Sequence, residues 1–291
     1  MKIKGFTLDL PVPENTVPLV FDSPHSGTEF PDDFSSPVSS EKLLTAWDAF
    51  VEDLWAPAVS QGASLLKAHF PRVYIDPNRA PDDVDARDVD GTLPFTCKPT
   101  VYSERGMGLI RKFALPGIPM YETPLTAKQI MDRIDTYYTP YHTALTERLE
   151  TLHQTFGSVW HIDCHSMKSK GNAMNIDNGQ PRPDIVLGDG DGTTCEEGFI
   201  AVIEDSFRSK GYSVSRNVPY KGGYLIRHYA APTRNRHSMQ IEINRAVYMD
   251  EQAFKPNNHY QTFKQDLSDL TKELCAYIRD AIDPSLSTPI K

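Results

Sequence analysis

No stretch of the 291-residue sequence stays apolar for the roughly 18 positions that a transmembrane helix needs, so no membrane span is expected. The opening residues, MKIKGFTLDLPVPEN, lack the apolar core of a secretory signal. Cysteine is scarce. Cys97, Cys164, Cys195 and Cys275 are widely spaced with no CxxC pair, so neither a disulfide framework nor a thiolate zinc site is indicated. A reduced, cytoplasmic setting is expected on that ground. Positive charge is also in deficit, with 30 Lys and Arg against 39 Asp and Glu, a net charge of −9. That counts against non-specific binding to nucleic acid or anionic membrane, while leaving room for a local arginine pocket that takes a small anionic substrate. Repeats and low-complexity tracts are missing too. What is present is aromatic content of 10%, which argues against disorder, and 23 prolines, which point to long structured loops.

Strand-like and helix-like segments alternate along the chain. VPLVFD at 17–22 reads as a buried strand running into SPHSG. Residues 41–59 read as a helix with Leu43, Trp47, Phe50, Leu54 and Val59 on one stripe. RVYID at 72–76 reads as a strand stopped by Pro77, followed by an acidic, proline-rich loop to Pro94 that reads as a solvated face. TAKQ at 126–129 is a capping-box pattern opening a long helix that Pro140 should kink or split. SVWHID at 158–163, DIVL at 184–187, residues 212–215 and SMQIEI at 238–243 read as strands. Residues 196–208 and the run marked by Phe263, Leu267, Leu270, Leu274 and Ile278 read as helices. Such alternation predicts an α/β fold whose ligands bind where strands run out into loops at their carboxyl ends. One domain over 1–282 and a loose tail over 283–291 are expected.

Four polar clusters fall at those places. In SPHSG, His25 follows a strand, with Glu29 four residues on; a neutral imidazole is a common zinc ligand, and a loop histidine bonded to backbone is the plainer alternative. In WHIDCHS at 160–166, a period of two puts His161, Asp163 and His165 on one face. Such a face is costly to bury unless it binds something, for instance a metal held by one imidazole with Asp163 orienting it. In MQIEINR at 239–245, Glu242 faces away from Ile241 and Ile243; burial would raise its pKa toward that of a general base, and a salt bridge with an arginine is the alternative. In RVYIDPNR at 72–79, two arginines and an amide flank one segment, suited either to bidentate carboxylate binding or to pairing with the acidic loop. KGGYLIRH at 221–228 reads as a loop carrying Arg227 or as a hairpin.

In this order, SPHSG at 23–27, DPNR at 76–79, DCHS at 163–166, GGYLIRHY at 222–229 and QIEINR at 240–245 resemble the N-formylglutamate amidohydrolase family, over about residues 15–280. That family is similar to zinc carboxypeptidases and aspartoacylase. The resemblance implies a phosphorylase/hydrolase-like, three-layer α/β fold with a mixed central sheet. It implies a Zn²⁺ amidohydrolase that cleaves N-formyl-L-glutamate to formate and glutamate in histidine degradation. His25 and His165 would be metal ligands and Glu242 the general base. Arg72 would polarise the scissile carbonyl, Asn78 and Arg79 would clamp a substrate carboxylate, and Arg227 would meet the second. Zinc carboxypeptidases place a glutamate ligand three residues after the first histidine. Here Thr28 holds that position, so Glu29 is the provisional third ligand, with Asp22, Asp76, His161 or a second water as competitors. The alternatives are an aspartoacylase-like or carboxypeptidase-like hydrolase of another N-acyl amino acid, and a non-catalytic metal- or ligand-binding domain.

Overall fold

The computed structural model describes residues 2–3, 5–175 and 177–283, with side chains placed from Gly5 onward. Beyond Asp283, the expected loose tail lies outside the described residues. Eight strands form one sheet: β1 (Lys2–Ile3), β2 (Phe6–Asp9), β3 (Leu19–Ser23), β4 (Ser64–Ala68), β5 (Val159–Met167), β6 (Ile185–Gly188), β7 (Val214–Arg216) and β8 (Arg236–Asn244). Their spatial order is β1-β2-β4-β3-β5-β8-β6-β7. The sheet is mixed. β4, β3, β5 and β8 run parallel to one another, while β2 joins β4, and β6 joins β8, antiparallel.

The period-two pattern decides which side chains each face buries. Ile162 and Cys164 of β5 and Met239, Ile241 and Ile243 of β8 enter one core. Covering this face are α2 (Val51–Leu54), α5 (Glu197–Ser209) and α7 (Tyr260–Ile282), through residues such as Leu54, Phe199, Ile203, Phe263 and Leu270. On the other face, Val20 and Leu66 meet Ile130 of α3 (Ala127–Arg133) and Tyr141, Leu145 and Leu149 of α4 (Thr139–Phe156). Helices therefore lie on both sides of the sheet, giving the expected three-layer architecture. Among the described residues, no helix is long and apolar enough to cross a membrane.

The capping box forms as the TAKQ pattern predicts: Thr126 accepts from the Gln129 N–H, and the Gln129 side chain accepts from the Thr126 N–H. The long helix is divided next to Pro140, as expected: a π-helical turn over Ile134–Tyr138 separates α3 from α4, and Pro140 sits in the first turn of α4.

Three local expectations need correction. The single helix over 41–59 is instead α1 (Ser40–Leu44), α2 and a 3₁₀ turn over Ala56–Gln61. Phe50 breaks it with a left-handed backbone at φ 64, and the Asp48 N–H is drawn to the His25 carbonyl at 3.1 Å. Residues 72–76 form a turn rather than a strand, because Pro71 accepts from the Tyr74 N–H and Asp76 is committed to side-chain contacts. The loop after it is not all solvated: Asp83 is buried and accepts from both the Thr100 N–H and hydroxyl.

Candidate metal and active site

β3, β5 and β8 are mutually parallel, and their carboxyl ends open on one side of the sheet. His25 follows the end of β3, His165 lies near the end of β5, and Glu242 sits directly beside His165 in register on β8. The turn that carries His25 needs Gly27, since a Cβ there would lie 2.3 Å from the His69 and Phe70 backbone.

The third member of the group is Asp48, delivered by the break between α1 and α2. His25, Asp48 and His165 are all buried, and one ligand atom from each lies within 4.8 Å of the others, a grouping able to hold a metal ion. Asp48 Oδ2 is 3.0 Å from His165 Nδ1 and 3.5 Å from His25 Nδ1. The outer nitrogen of each imidazole is braced by a carboxylate: His25 Nε2 by Asp76 at 2.6 Å and His165 Nε2 by Asp163 at 2.7 Å. Carboxylate–imidazole braces of this kind fix the ring and raise its basicity as a ligand.

Whether these residues suit a metal is answered by His25 Nδ1. It is buried, has no hydrogen-bond partner among the described residues, and lies among the same donors. Two imidazole nitrogens and one carboxylate oxygen make a donor set suited to a catalytic zinc. Burial, then Arg72, lowers the His25 pKa and favours the neutral ring that a ligand must be. Burial works against charge on His165, but Asp163 and Asp48 overcome it and hold its pKa well above the ordinary value.

Glu29 is corrected as a ligand. Its side chain is 69% exposed and lies 3.4 Å from His69, because its N–H is tied to the His69 carbonyl at 2.8 Å, and it takes no part in the His25–Asp48–His165 group. The competitors Asp22 and His161 are also elsewhere. His161 bonds Asp22 at 2.8 Å and Ser238 at 2.7 Å, and Asp22 accepts from Tyr141 at 2.7 Å, all buried. Asp76 is spent on orienting its neighbours: it holds His25, the Asn78 N–H at 2.9 Å, and Arg72 through Nη2 at 2.6 Å.

A cavity of about 170 Å³ opens over the cluster, lined by His25, Asp48, Arg72, Asn78, Arg79, His165 and Glu242. Burial, with help from Asp48, raises Glu242 to about 7, against the pull of His165 and Arg72. Gln240 steadies it by donating to Oε1 at 2.9 Å. Asn78 donates to Asp163 at 2.8 Å and accepts from the Leu225 N–H at 2.9 Å. Its amide therefore serves the scaffold at least as much as a ligand. Residues 224–229 form neither loop nor hairpin but α6 (Tyr224–Tyr229). Gly223 before it is packed so closely that a Cβ would lie 2.3 Å from Asn78 Oδ1. Arg227 is corrected too: it is exposed on α6 and does not line the cavity, because the face of that short helix buried against the sheet carries Leu225 and Ile226.

Asp48 was missed because it sits in what reads as a helical stripe. The available signal was a lone carboxylate inside the apolar run AWDAFV at 46–51, which is costly to bury unpaired. Arg111, Lys168, Arg182 and Arg245, which also line the cavity, were missed as well. They come from segments with no shared spacing.

A braced imidazole–carboxylate–imidazole set beside a raised carboxylate, at the ends of parallel strands, is the layout of a hydrolase that works on a carbonyl with metal assistance. The chain belongs to the N-formylglutamate amidohydrolase family, whose model matches residues 17–249. It is 44% identical to the N-formylglutamate amidohydrolase of Ralstonia eutropha JMP134 in a crystal structure, with a TM-score of 0.92 over 96% of this chain and 100% of that one. It is 31% identical to an N-formylglutamate deformylase of Pseudomonas aeruginosa, and 26% identical to one of Pseudomonas putida. These alignments span 93% and 92% of this chain, and 93% of each relative.

Proposed function

We propose that this protein hydrolyses the formamide bond of N-formyl-L-glutamate, giving formate and L-glutamate, with a zinc ion held by His25, Asp48 and His165. The observation that carries the reading is the unpartnered His25 Nδ1 beside Asp48 Oδ2 and His165 Nδ1, on the floor of an arginine-lined cavity. Family membership supports the substrate. When bound, the metal supplies Lewis acidity and brings the pKa of water toward neutrality.

The chain's own residues do the rest. Glu242, poised near 7, takes a proton from the attacking water and passes it to the departing nitrogen. Arg72 keeps Nε and Nη2 on Asp76, leaving Nη1 to donate to the oxygen that gains charge on the carbonyl. Arg79 uses Nε and Nη1 on the carbonyls of Met107 and Asn78, which leaves Nη2 for a substrate carboxylate. A formyl group gives little to grip, so recognition rests on the dicarboxylate end, and the substrate is a small anionic N-acyl amino acid.

The deciding experiment is a substrate panel of N-formyl-glutamate, N-acetyl-aspartate and a carboxypeptidase dipeptide. Preference for the first is expected. Comparable or faster turnover of either other substrate would reassign the enzyme.

A further inference from the structure

Five arginines line the cavity, and four of them are engaged. Arg72 grips Asp76 at 2.6 Å, Arg182 grips Asp177 at 2.6 Å and Arg245 holds Asp48 at 3.0 Å. Arg79 donates to two carbonyls and stacks over Tyr102 at 4.2 Å. Arg111 differs. It is only 7% exposed, and its buried Nε has no partner among the described residues. Among the described residues, none accepts a hydrogen bond from its guanidinium or lies within ion-pair distance. Asp83, Asp85 and Asp88, which border a neighbouring cavity that Arg111 also touches, are committed to Thr100, Arg87 and Lys112.

A buried cation with no counter-charge is expensive. Burial first, then the positive neighbour Arg72, pushes Arg111 down to about 9, still charged at neutral pH. The same excess of positive charge reaches Lys168, which burial and Arg245 lower to about 8. In a chain of net charge −9, this wall is short of an anion. A guanidinium presents a planar fork that matches one carboxylate.

We propose that Arg111 is the specificity-determining anchor for one carboxylate of the dicarboxylate substrate. It takes the part that the sequence resemblance assigned to Arg227. The inference rests on the amidohydrolase reading above.

The test compares wild type, Arg111→Met and Arg111→Lys on N-formyl-glutamate, N-formyl-glutamine and N-formyl-isoglutamine. The last two substrates each lack one charge. For Arg111→Met, kcat/KM is expected to fall about 10²-fold on N-formyl-glutamate and on the analogue that keeps the anchored carboxylate. The other analogue should change by no more than about threefold, and that pattern identifies the carboxylate. Arg111→Lys should fall in between. Equal losses on all three substrates, or no loss, overturn the proposal.

Two further measurements do not depend on turnover. Removing an unpaired buried charge should raise the melting temperature of ligand-free Arg111→Met by about 2–4 °C. A lower melting temperature would mean that Arg111 is structural and would overturn the proposal. Calorimetric titration with glutarate should show binding weakened at least about tenfold in Arg111→Met, and unchanged binding overturns it. If wild type cleaves none of the three substrates, the functional reading fails, and the glutarate titration still decides Arg111.

Discussion

Replacing Asp48 by Asn separates the site seen in the structure from the one that spacing suggests. Asp48 is 2% exposed and makes four contacts at once: Oδ2 with His165, His25 and the Ser166 N–H, and Oδ1 with Arg245 at 3.0 Å. Burial opposes its charge, yet its hydrogen bond to His165 and the close His25 ring hold its pKa well below the usual carboxylate range. Asparagine keeps the size and one acceptor oxygen but removes the charge. Breaking a buried ion pair outright costs about 3–5 kcal/mol. Arg245 keeps Ser166 Oγ and the Thr45 carbonyl, so the loss of folding stability should fall to about 1–3 kcal/mol, the range for a compromised buried hydrogen bond. Metal affinity has no such cushion. Loss of a residue that merely braces a ligand typically costs 10–100-fold in affinity, so loss of a ligand should cost at least about 10²-fold. Zinc titration against a competing chelator, run beside urea melts of the metal-free proteins, separates the two effects. Glu29→Gln is the control, and its affinity should match wild type because that side chain is exposed and faces His69. Wild-type affinity in Asp48→Asn, or a large loss in Glu29→Gln, would refute the placement.

Three other outcomes follow from the geometry. Glu242→Gln should lower kcat by about 10²–10⁴-fold, with metal retained and KM little changed; steady-state kinetics with metal analysis checks this. Gly223→Ala forces a Cβ to within 2.3 Å of Asn78 Oδ1, so both melting temperature and kcat should fall, whereas Gly157→Ala, with open space around it, should leave kcat unchanged. Burial raises Glu52 from 4.5 to about 7. The folded state therefore holds that proton more tightly than the unfolded chain, and the stability this gives is present below about pH 4.5 and lost as pH rises through about 7. Glu52→Gln should be more stable than wild type at pH 8, by up to about 3 kcal/mol, with the gap closing toward pH 4.5. A gap that widens on acidification would contradict the sign.

The parts of the site legible in the sequence are those carried by strands. A period of two puts His165 and Asp163 on one face of β5, and Gln240 and Glu242 on one face of β8, and both strands are long enough for that pattern to survive. His25 was legible because β3 is a short, fully buried strand that stops at the motif. What was illegible arrives through tertiary contacts. The run 41–59 has a helical stripe, but the His25 carbonyl and the left-handed Phe50 break it, and that break delivers Asp48. RVYID has strand-like composition, yet Asp76 is worth more as the brace for His25, Arg72 and Asn78 than as a sheet residue. Arg227 sits in a motif beside the site, but a one-and-a-half-turn helix points it outward. Arg111, which shares no motif with the others, reaches the cavity through the loop fold alone.

The central claim is that a metal held by His25, Asp48 and His165 is needed for cleavage of N-formyl-L-glutamate. It is tested most directly by stripping the protein with a chelator, measuring formate release, and adding zinc back. The account predicts that formate release is lost when the metal is removed and returns at about one equivalent of zinc, with no return in His25→Ala or His165→Ala. Full activity in protein shown by elemental analysis to be metal-free would contradict it.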